Sequence, residues 1–381
     1  SETLRDRKSF NQEFRAVSDS ADFQKNSFFE WVIGANYLEL KESNLKKDDG
    51  LYGDPSDPYG PYASASASSS KYKSSNFSVF GNLDYLLSAS LKFSIGLRWE
   101  DWEADYSDSL QESFNPTDKM SGGKISLIKN MTNDTNMYAS LAKGYKQGGF
   151  NLGLGLDANA TNKNLAYDPE FLTNYELGIN TKLLDSKITF NGVLFYSDRE
   201  DQQVLISTQT DPSDPNTFSF LTQNAAEGVN HGLEINMDMD INQSLSAFVN
   251  LGILKTEIKN WQSRQDLEGR AQAHAPERSY ALGLNWAPTS HTYLAIDFTG
   301  KSSFYYSDSH NNKSKSYVLT NLNLGYVKNN WNYELWARNI FDEYYSVRGF
   351  YFGNEAPNFI DTLYERHGDP RHIGVSIRYD F

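Results

Sequence analysis

The sequence predicts an all-β fold, an antiparallel transmembrane β-barrel. Three observations carry that prediction. Apolar residues recur at every second position in segment after segment, short and long links alternate between those segments, and no stretch approaches the roughly 18 to 20 consecutive apolar residues of a membrane helix. Composition agrees with them. Among 381 residues 22% are charged and 14% aromatic, and 24 Tyr with 23 Phe outnumber 7 Trp, a bias toward side chains that suit strands and membrane interfaces. A barrel wall meets lipid only at alternate residues, so its mean hydropathy resembles that of a soluble protein.

The same counts exclude several chemistries. There are no cysteines, which removes disulfides, thiolate metal sites and cysteine nucleophiles. A formal charge of -14 without clustered Lys or Arg argues against nucleic acid as a partner. The six histidines, at 231, 274, 291, 310, 367 and 372, include no pair at helical ligand spacing and no HExxH, so neither a metal nor another cofactor is expected. No GxSxG elbow or P-loop appears, and no enzymatic activity is expected. A barrel enzyme with an outer-face Ser and His would need His372 on an apolar row, and it falls on a polar one.

Taken in order, the alternation predicts about fifteen strands, near 9–17, 28–40, 73–86, 90–106, 119–130, 135–146, 171–183, 187–206, 217–240, 244–258, 277–287, 291–306, 315–328, 331–347 and 370–381. Leu91, Phe93, Ile95, Leu97 and Trp99 form a row that faces away from Arg98 and Glu100. Tyr175, Leu177, Ile179 and Leu183 oppose Glu176 and Lys182, and Leu233, Ile235, Met237 and Met239 oppose Glu234, Asp238 and Asp240. Leu245 to Ile253 and Val318 to Tyr326 repeat the pattern, and Ile373, Val375, Ile377, Tyr379 and Phe381 close it against Arg378. A soluble sandwich would expose the polar row to solvent, and a large barrel would turn it to a wet lumen. The second reading makes Arg98, Glu100, Glu176, Lys182, Glu234, Asp238 and Arg378 lumen-facing. Trp31, Tyr37, Trp99, Tyr175, Tyr196, Trp286, Tyr326, Trp331, Tyr333 and Tyr379 fall near the ends of apolar rows, where interfacial girdles belong. An antiparallel barrel closes on an even number of strands, so an odd count implies a missed strand or an incomplete wall.

The links divide into two kinds. Those at 184–186, 242–243, 288–290 and 329–330 are short and rich in Asp, Asn, Ser and Pro, whereas 42–71, 147–169, 260–275 and 349–368 are long. Short periplasmic turns and long extracellular loops characterise outer-membrane barrels. Asp48, Asp49, Asp54 and Asp57 crowd into the first long link and read as a solvated acidic loop, with calcium as the sharper alternative. The Ala63 to Ser70 run reads as a flexible tip. Tyr52, Tyr59 and Tyr62, with Arg348, Phe350, Tyr351 and Phe352 from the last long link, are the candidate vestibule for a small-molecule ligand.

The terminal strand alternates to its last residue and ends Tyr379-Asp380-Phe381, which resembles the signal by which outer-membrane barrels are recognised by the assembly machinery. Gly144-Tyr145-Lys146-Gln147-Gly148-Gly149-Phe150-Asn151, Asn174-Tyr175-Glu176-Leu177-Gly178, Asn224-Ala225-Ala226 with Gly232-Leu233-Glu234, Asn339-Ile340-Phe341-Asp342 with Tyr344-Tyr345, and Gly368-Asp369-Pro370-Arg371 follow in an order that resembles the TonB-dependent receptors. The resemblance runs from about Gln12 to Phe381. It implies a barrel of about 22 strands around an N-terminal plug. It also implies residence among outer-membrane lipid, energising by TonB–ExbB–ExbD through that plug, and uptake of a scarce nutrient such as a ferric siderophore, a corrinoid or an oligosaccharide. Phe10 to Val17 already resembles a mid-barrel strand, so residues 1–381 are expected to be a partial barrel, with the plug, its TonB box and about seven strands lacking a counterpart. Two other readings stay open: a passive porin-like channel of about sixteen strands, and a barrel with an enzymatic or adhesive role.

Overall fold

The computed structural model describes residues 2–18, 28–52, 62–109, 113–151, 166–209, 218–261, 264–308, 310–352, 360 and 362–381. The strands are β1 (Glu2–Val17), β2 (Phe29–Tyr52), β3 (Tyr62–Ser88), β4 (Leu91–Asp108), β5 (Ser113–Phe114), β6 (Thr117–Asn130), β7 (Thr135–Lys146), β8 (Gly149–Phe150), β9 (Ala166–Tyr167) and β10 (Glu170–Leu183). They continue as β11 (Ile188–Gln209), β12 (Phe218–Asn242), β13 (Leu245–Asn260), β14 (Arg278–Trp286), β15 (Thr292–Lys301), β16 (Tyr317–Lys328), β17 (Trp331–Arg338), β18 (Ser346–Phe352), β19 (Thr362–His367) and β20 (His372–Tyr379). One 16-stranded antiparallel sheet holds the chain, in the order β1-β2-β3-β4-β6-β7-β10-β11-β12-β13-β14-β15-β16-β17-β20, with β5 paired to β4 beside that path. Each wall strand pairs with the next in sequence, as the alternating links require.

Register sorts the side chains onto two faces. Tyr175 pairs with Tyr196 and Leu177 with Leu194, whereas Glu176 and Gly178, one residue out of phase, face Phe195 and Val193. The apolar face is open: Leu97, Leu177, Leu194, Ile253, Leu335 and Val375 are all exposed, although a water-soluble sheet would cover such a row. Tyr175 and Tyr196 stand about eight residues above the short turns, a rise of roughly 20 Å for strands tilted by about 40°. At the turn end Trp286, Tyr326, Trp331, Tyr333 and Tyr379 are exposed on the same face, and Trp331 meets Tyr379 at 4.8 Å between ring centroids. Two aromatic rows bracketing an apolar band is the outer surface of a membrane barrel.

Glycines in this wall serve as floors for rings on the neighbouring strand. Tyr138 lies across Gly178, Tyr293 across Gly325, Phe248 across Gly283 and Trp336 across Gly374, each ring so close that a Cβ on the glycine would fall within 2.4 Å of it. Covering an otherwise bare backbone with a cross-strand aromatic stabilises a glycine in a strand.

The long links depart most from the sequence reading. Residues 42–52 and 62–71 are strand: β2 and β3 pair without interruption from Phe29–Tyr85 to Tyr52–Tyr62, which takes in Asp48, Asp49 and the Ala63 to Ser70 run. Alternating Ala and Ser carry period two as well as they carry flexibility, and a long partner in register decides for the strand. Asp54, Asp57 and Tyr59 lie outside the described residues. Conversely, 291–306 and 331–347 overshoot, since β15 ends at Lys301 and β17 at Arg338. The last long link contains the hairpin β18–β19.

Candidate functional site

The polar face is knotted by carboxylates that collect neighbours across strands. Glu100, only 6% exposed, accepts from Arg98 Nε at 2.9 Å, Tyr145 Oη at 3.0 Å and Asn76 Nδ2 at 2.5 Å. Its cross-strand partner Met120 packs with Trp102, and Arg98 lies 5.9 Å from the Phe80 ring. Glu42, also buried, accepts from Arg7 Nε at 2.7 Å and Asn44 Nδ2 at 2.9 Å. Glu170 accepts from Arg199 Nε and from the Gln203 backbone N–H, both at 2.9 Å. That last arrangement depends on irregular pairing of β11 with β12 between Arg199 and Gln203, where Asp201 takes a left-handed φ of 54°.

Gly144 to Asn151 crosses between these knots. Asn76 Nδ2 donates to Gln147 Oε1 at 3.2 Å, and Gln203 Nε2 donates to the Gln147 carbonyl at 2.9 Å. Phe150 sits 5.7 Å from both Tyr72 and Tyr106. Asn151 exchanges two bonds with the Thr222 backbone, at 2.8 and 2.6 Å. The segment therefore straps β3 and β4 to β11 and β12 at the long-link end.

A second cluster forms where three long links meet. The β13–β14 link is anchored by Leu267, wholly buried against Val204, Ala226, Ile258 and Trp261. It presents Arg270, whose guanidinium donates to the carbonyls of His310 at 2.9 Å and Ser307 at 3.1 Å and to Asp308 Oδ1 at 2.7 Å. The same guanidinium lies 4.4 Å from the Tyr305 ring, which Lys313 approaches at 4.2 Å. Burial, with Arg348 nearby, holds the His274 imidazole below the usual histidine range, and burial with Arg270 does the same to His310. Tyr306 donates to Glu365, and burial together with that bond pushes its hydroxyl up to about 12.

The predicted site residues are brought together only in part. Arg98 and Glu100 touch, and Glu176 accepts from Asn174 at 2.8 Å. Lys182, Glu234, Asp238 and Arg378 are distributed over β10, β12 and β20, with Arg378 held by Asp380 at 3.2 Å. In β18, Tyr351 meets His310 at 5.1 Å and accepts from Asn312 at 2.6 Å, while Phe350, one residue out of phase, stacks on Tyr364 at 5.9 Å. Arg348 reaches the histidine cluster through its charge. Tyr52 and Tyr62 are backbone partners at the end of the β2–β3 arm, and the Tyr52, Tyr62 and Phe352 side chains lie outside the described residues. Among the described residues β18 pairs with β19 and no strand pairing joins the arm to it. Gln147, Asn151, Glu170, Arg199, Arg270 and the two loop histidines were not singled out from sequence as binding residues. Gln147 and Asn151 lie in the Gly144 to Asn151 segment that carries the family resemblance, but their contacts, like those of Glu170 with Arg199 and of Arg270 with the 307–311 link, join residues 29 to 71 apart in sequence, which no local pattern encodes. Among the described residues no group of three or more His, Asp or Glu gathers to hold a metal.

A many-stranded antiparallel wall with one lipid-suited face, one polar face and loops gathered at one end defines an outer-membrane β-barrel. The family model described as "TonB dependent receptor-like, beta-barrel" matches residues 2–340, and the chain belongs to that family, one of transport receptors rather than enzymes. The Pesticin receptor of Yersinia pestis is 23% identical over 267 residues, 68% of this chain and 36% of that receptor. Among solved structures, the ferric yersiniabactin uptake receptor FyuA from Yersinia pestis superposes with a TM-score of 0.77 at 19% identity, over 100% of this chain and 55% of its own. The siderophore receptor PiuA from Acinetobacter baumannii gives 0.72 at 16% identity, over 98% of this chain and 56% of its own. The copper transporter OprC gives 0.74 at 13%, over 100% and 57%. The chain thus spans about half the length of the solved relatives it matches. An outer-membrane location follows from family and fold together.

Proposed function

We propose that the chain forms part of the barrel of an outer-membrane receptor for TonB-dependent uptake of a scarce nutrient, with a ferric siderophore or similar iron complex as the ligand class. The observation that carries the reading is the pairing of a family-matched wall with a loop cluster at the long-link end, in which the buried Arg270 side chain anchors Tyr305 and the exposed Lys313 and Arg348 stand with Tyr351. Cationic and aromatic side chains at the mouth of a barrel suit a bulky anionic chelate. Ferric yersiniabactin, siderophore and ferric citrate receptors among the structural relatives support that class.

On this reading the row containing Arg98, Glu100, Glu176, Lys182, Glu234, Asp238 and Arg378 lines the lumen. A plug and TonB box outside these residues couple the barrel to TonB–ExbB–ExbD, and Tyr379 with Phe381 presents the edge read during barrel assembly. Growth of a strain lacking the gene, supplied in turn with defined ferric chelates under iron limitation, tests the proposal. The expected result is loss of growth on one chelate, restored by the intact gene only when TonB is present. Growth on every chelate, or TonB-independent swelling of liposomes in small sugars by the intact protein, would point to a passive channel instead.

A further inference from the structure

We propose that six asparagines on the polar face, Asn130, Asn136, Asn180, Asn191, Asn236 and Asn250, form a track for neutral sugar chains along the lumen wall. Register sets them in one unbroken row. Asn130 of β6 pairs with Asn136 of β7, Asn136 with Asn180 of β10, Asn180 with Asn191 of β11, Asn191 with Asn236 of β12, and Asn236 with Asn250 of β13. At about 4.8 Å between strands the row runs for about 24 Å, from the β6–β7 turn to mid-height of β13. Residues opposite one another on one face stand about 5 Å apart between Cβ atoms, so the wall offers one carboxamide per sugar-sized step.

The chemistry of the row and its flanks specifies the ligand. Each carboxamide holds two donor hydrogens and an acceptor oxygen, the set that adjacent hydroxyls of a sugar ring engage together. Asn180 Nδ2 donates to Asn136 Oδ1 at 2.9 Å, and among the described residues the side chains of Asn191, Asn236 and Asn250 are committed to no other group. Three rings lie flat beside the row: Tyr138 across Gly178, Phe195 across Gly232 and Phe248 across Gly283, each within 2.9 Å of where a Cβ on the glycine would stand. A ring seated on bare backbone turns its other face to the lumen, and the C–H face of a sugar packs on such a surface. Charge argues against an anionic chelate at this depth. No residue of the row is ionisable, and the charged side chains one row away on β10 to β13 are Glu234 and Asp238 against Lys182 alone. A neutral, hydroxyl-rich chain meets neither repulsion nor a counter-ion that would hold it in place, and equal steps let it exchange one amide for the next. The inference rests on the polar face lining a transport lumen, and it adds a cargo class to that reading.

The test uses the intact gene product in lipid vesicles, with Asn191→Cys labelled by a water-soluble maleimide and linear glucose oligomers as the probe. Maltohexaose is expected to slow the labelling, at a concentration at least about fivefold below that needed with maltose, the effect of one additional net hydrogen bond. Asn236→Leu in the same protein should raise that concentration about fivefold and Asn236→Gln less, and Phe195→Leu should weaken the protection too. Lys301→Ala, on β15 beyond the row, serves as the control and leaves protection unchanged. No protection by maltohexaose, equal protection by the two sugars, or an Asn236→Leu, Asn250→Leu double variant protected as well as its parent would overturn the assignment. So would an Asn191→Cys thiol that stays unlabelled without sugar, because another part of the protein then covers the row. Leu194→Cys, on the apolar face of the same strand, separates these failures from failure of the transport reading: its labelling in vesicles would mean that water reaches both faces, which removes the lumen itself. Growth on ferric chelates is scored separately.

Discussion

Glu100 shows how single side chains organise the polar face. Its carboxylate has three donors from β3, β4 and β7, and the surrounding wall leaves it 6% exposed, so Glu100→Leu removes their shared acceptor and leaves Arg98 only Tyr145 Oη and Asn76 only Gln147 Oε1, each at 3.2 Å. Because Arg98 keeps solvent access at 39% of its side chain, the expected loss is about 1–3 kcal/mol and not the full cost of a buried unpaired ion. Urea unfolding in lipid vesicles measures it, and Glu100→Gln, which keeps one carbonyl acceptor for Asn76 and puts an N–H donor opposite Tyr145 Oη, should lose less than Glu100→Leu. Gly178 makes a different residue-scale argument. A Cβ there would lie 2.2 Å from the Tyr138 ring, so Gly178→Ala must push the ring off its seat at about 1–3 kcal/mol. Adding Tyr138→Ala should recover part of that loss, and a double-mutant cycle with no coupling would refute the ring-on-glycine account.

At the scale of elements, the loop cluster has a pH dependence whose sign is fixed by its two histidines. Burial and the neighbouring Arg348 and Arg270 depress both imidazoles, while Asp308 and the backbone opposite them act the other way and only partly offset this. The unfolded links therefore bind more protons than the folded ones below the ordinary histidine value near 6.5, and the cluster loses stability as pH falls through that range. His310 makes the loss concrete: its Nδ1 accepts from the Asn312 backbone at 3.3 Å, and a proton there removes the acceptor. Hydrogen exchange over residues 264–275 and 302–316 should quicken, relative to the β12–β13 wall, between pH 7.5 and 5.5. His310→Gln should flatten the change. These links were also where sequence said least. The fifteen wall strands were legible because period two survives in each of them, as in Leu91 to Trp99. The β2–β3 arm and the β18–β19 hairpin were not, since Ala-Ser alternation and short Tyr-Phe runs resemble loop as much as strand. Arg98 beside Glu100 followed from their spacing on one face, but Arg270 over Tyr305 needs three links folded together, which no local pattern encodes.

For the whole molecule the claim is that adjacent residues on one strand meet different solvents. Leu251 and Asn250 of β13 provide a strict comparison. Leu251 pairs with Ile235 and Tyr280 near mid-height of the apolar band, and Asn250 pairs with Asn236 and Ala281 on the polar face. If hydrocarbon covers the first face, Leu251→Arg should cost about 2–4 kcal/mol, the value for a cation at the bilayer midplane of a barrel. Asn250→Arg, with Glu234 and Asp238 on the neighbouring strand's same face, should cost less than about 1 kcal/mol. The difference is read from folding equilibria of the intact protein in lipid vesicles. Its dependence on height is a further check, since an arginine at Glu257, six residues nearer the long links on the same face, should approach neutrality as the interface is reached. A soluble sheet would give the two neighbours similar costs and no dependence on height, because water would wet both faces along their full length.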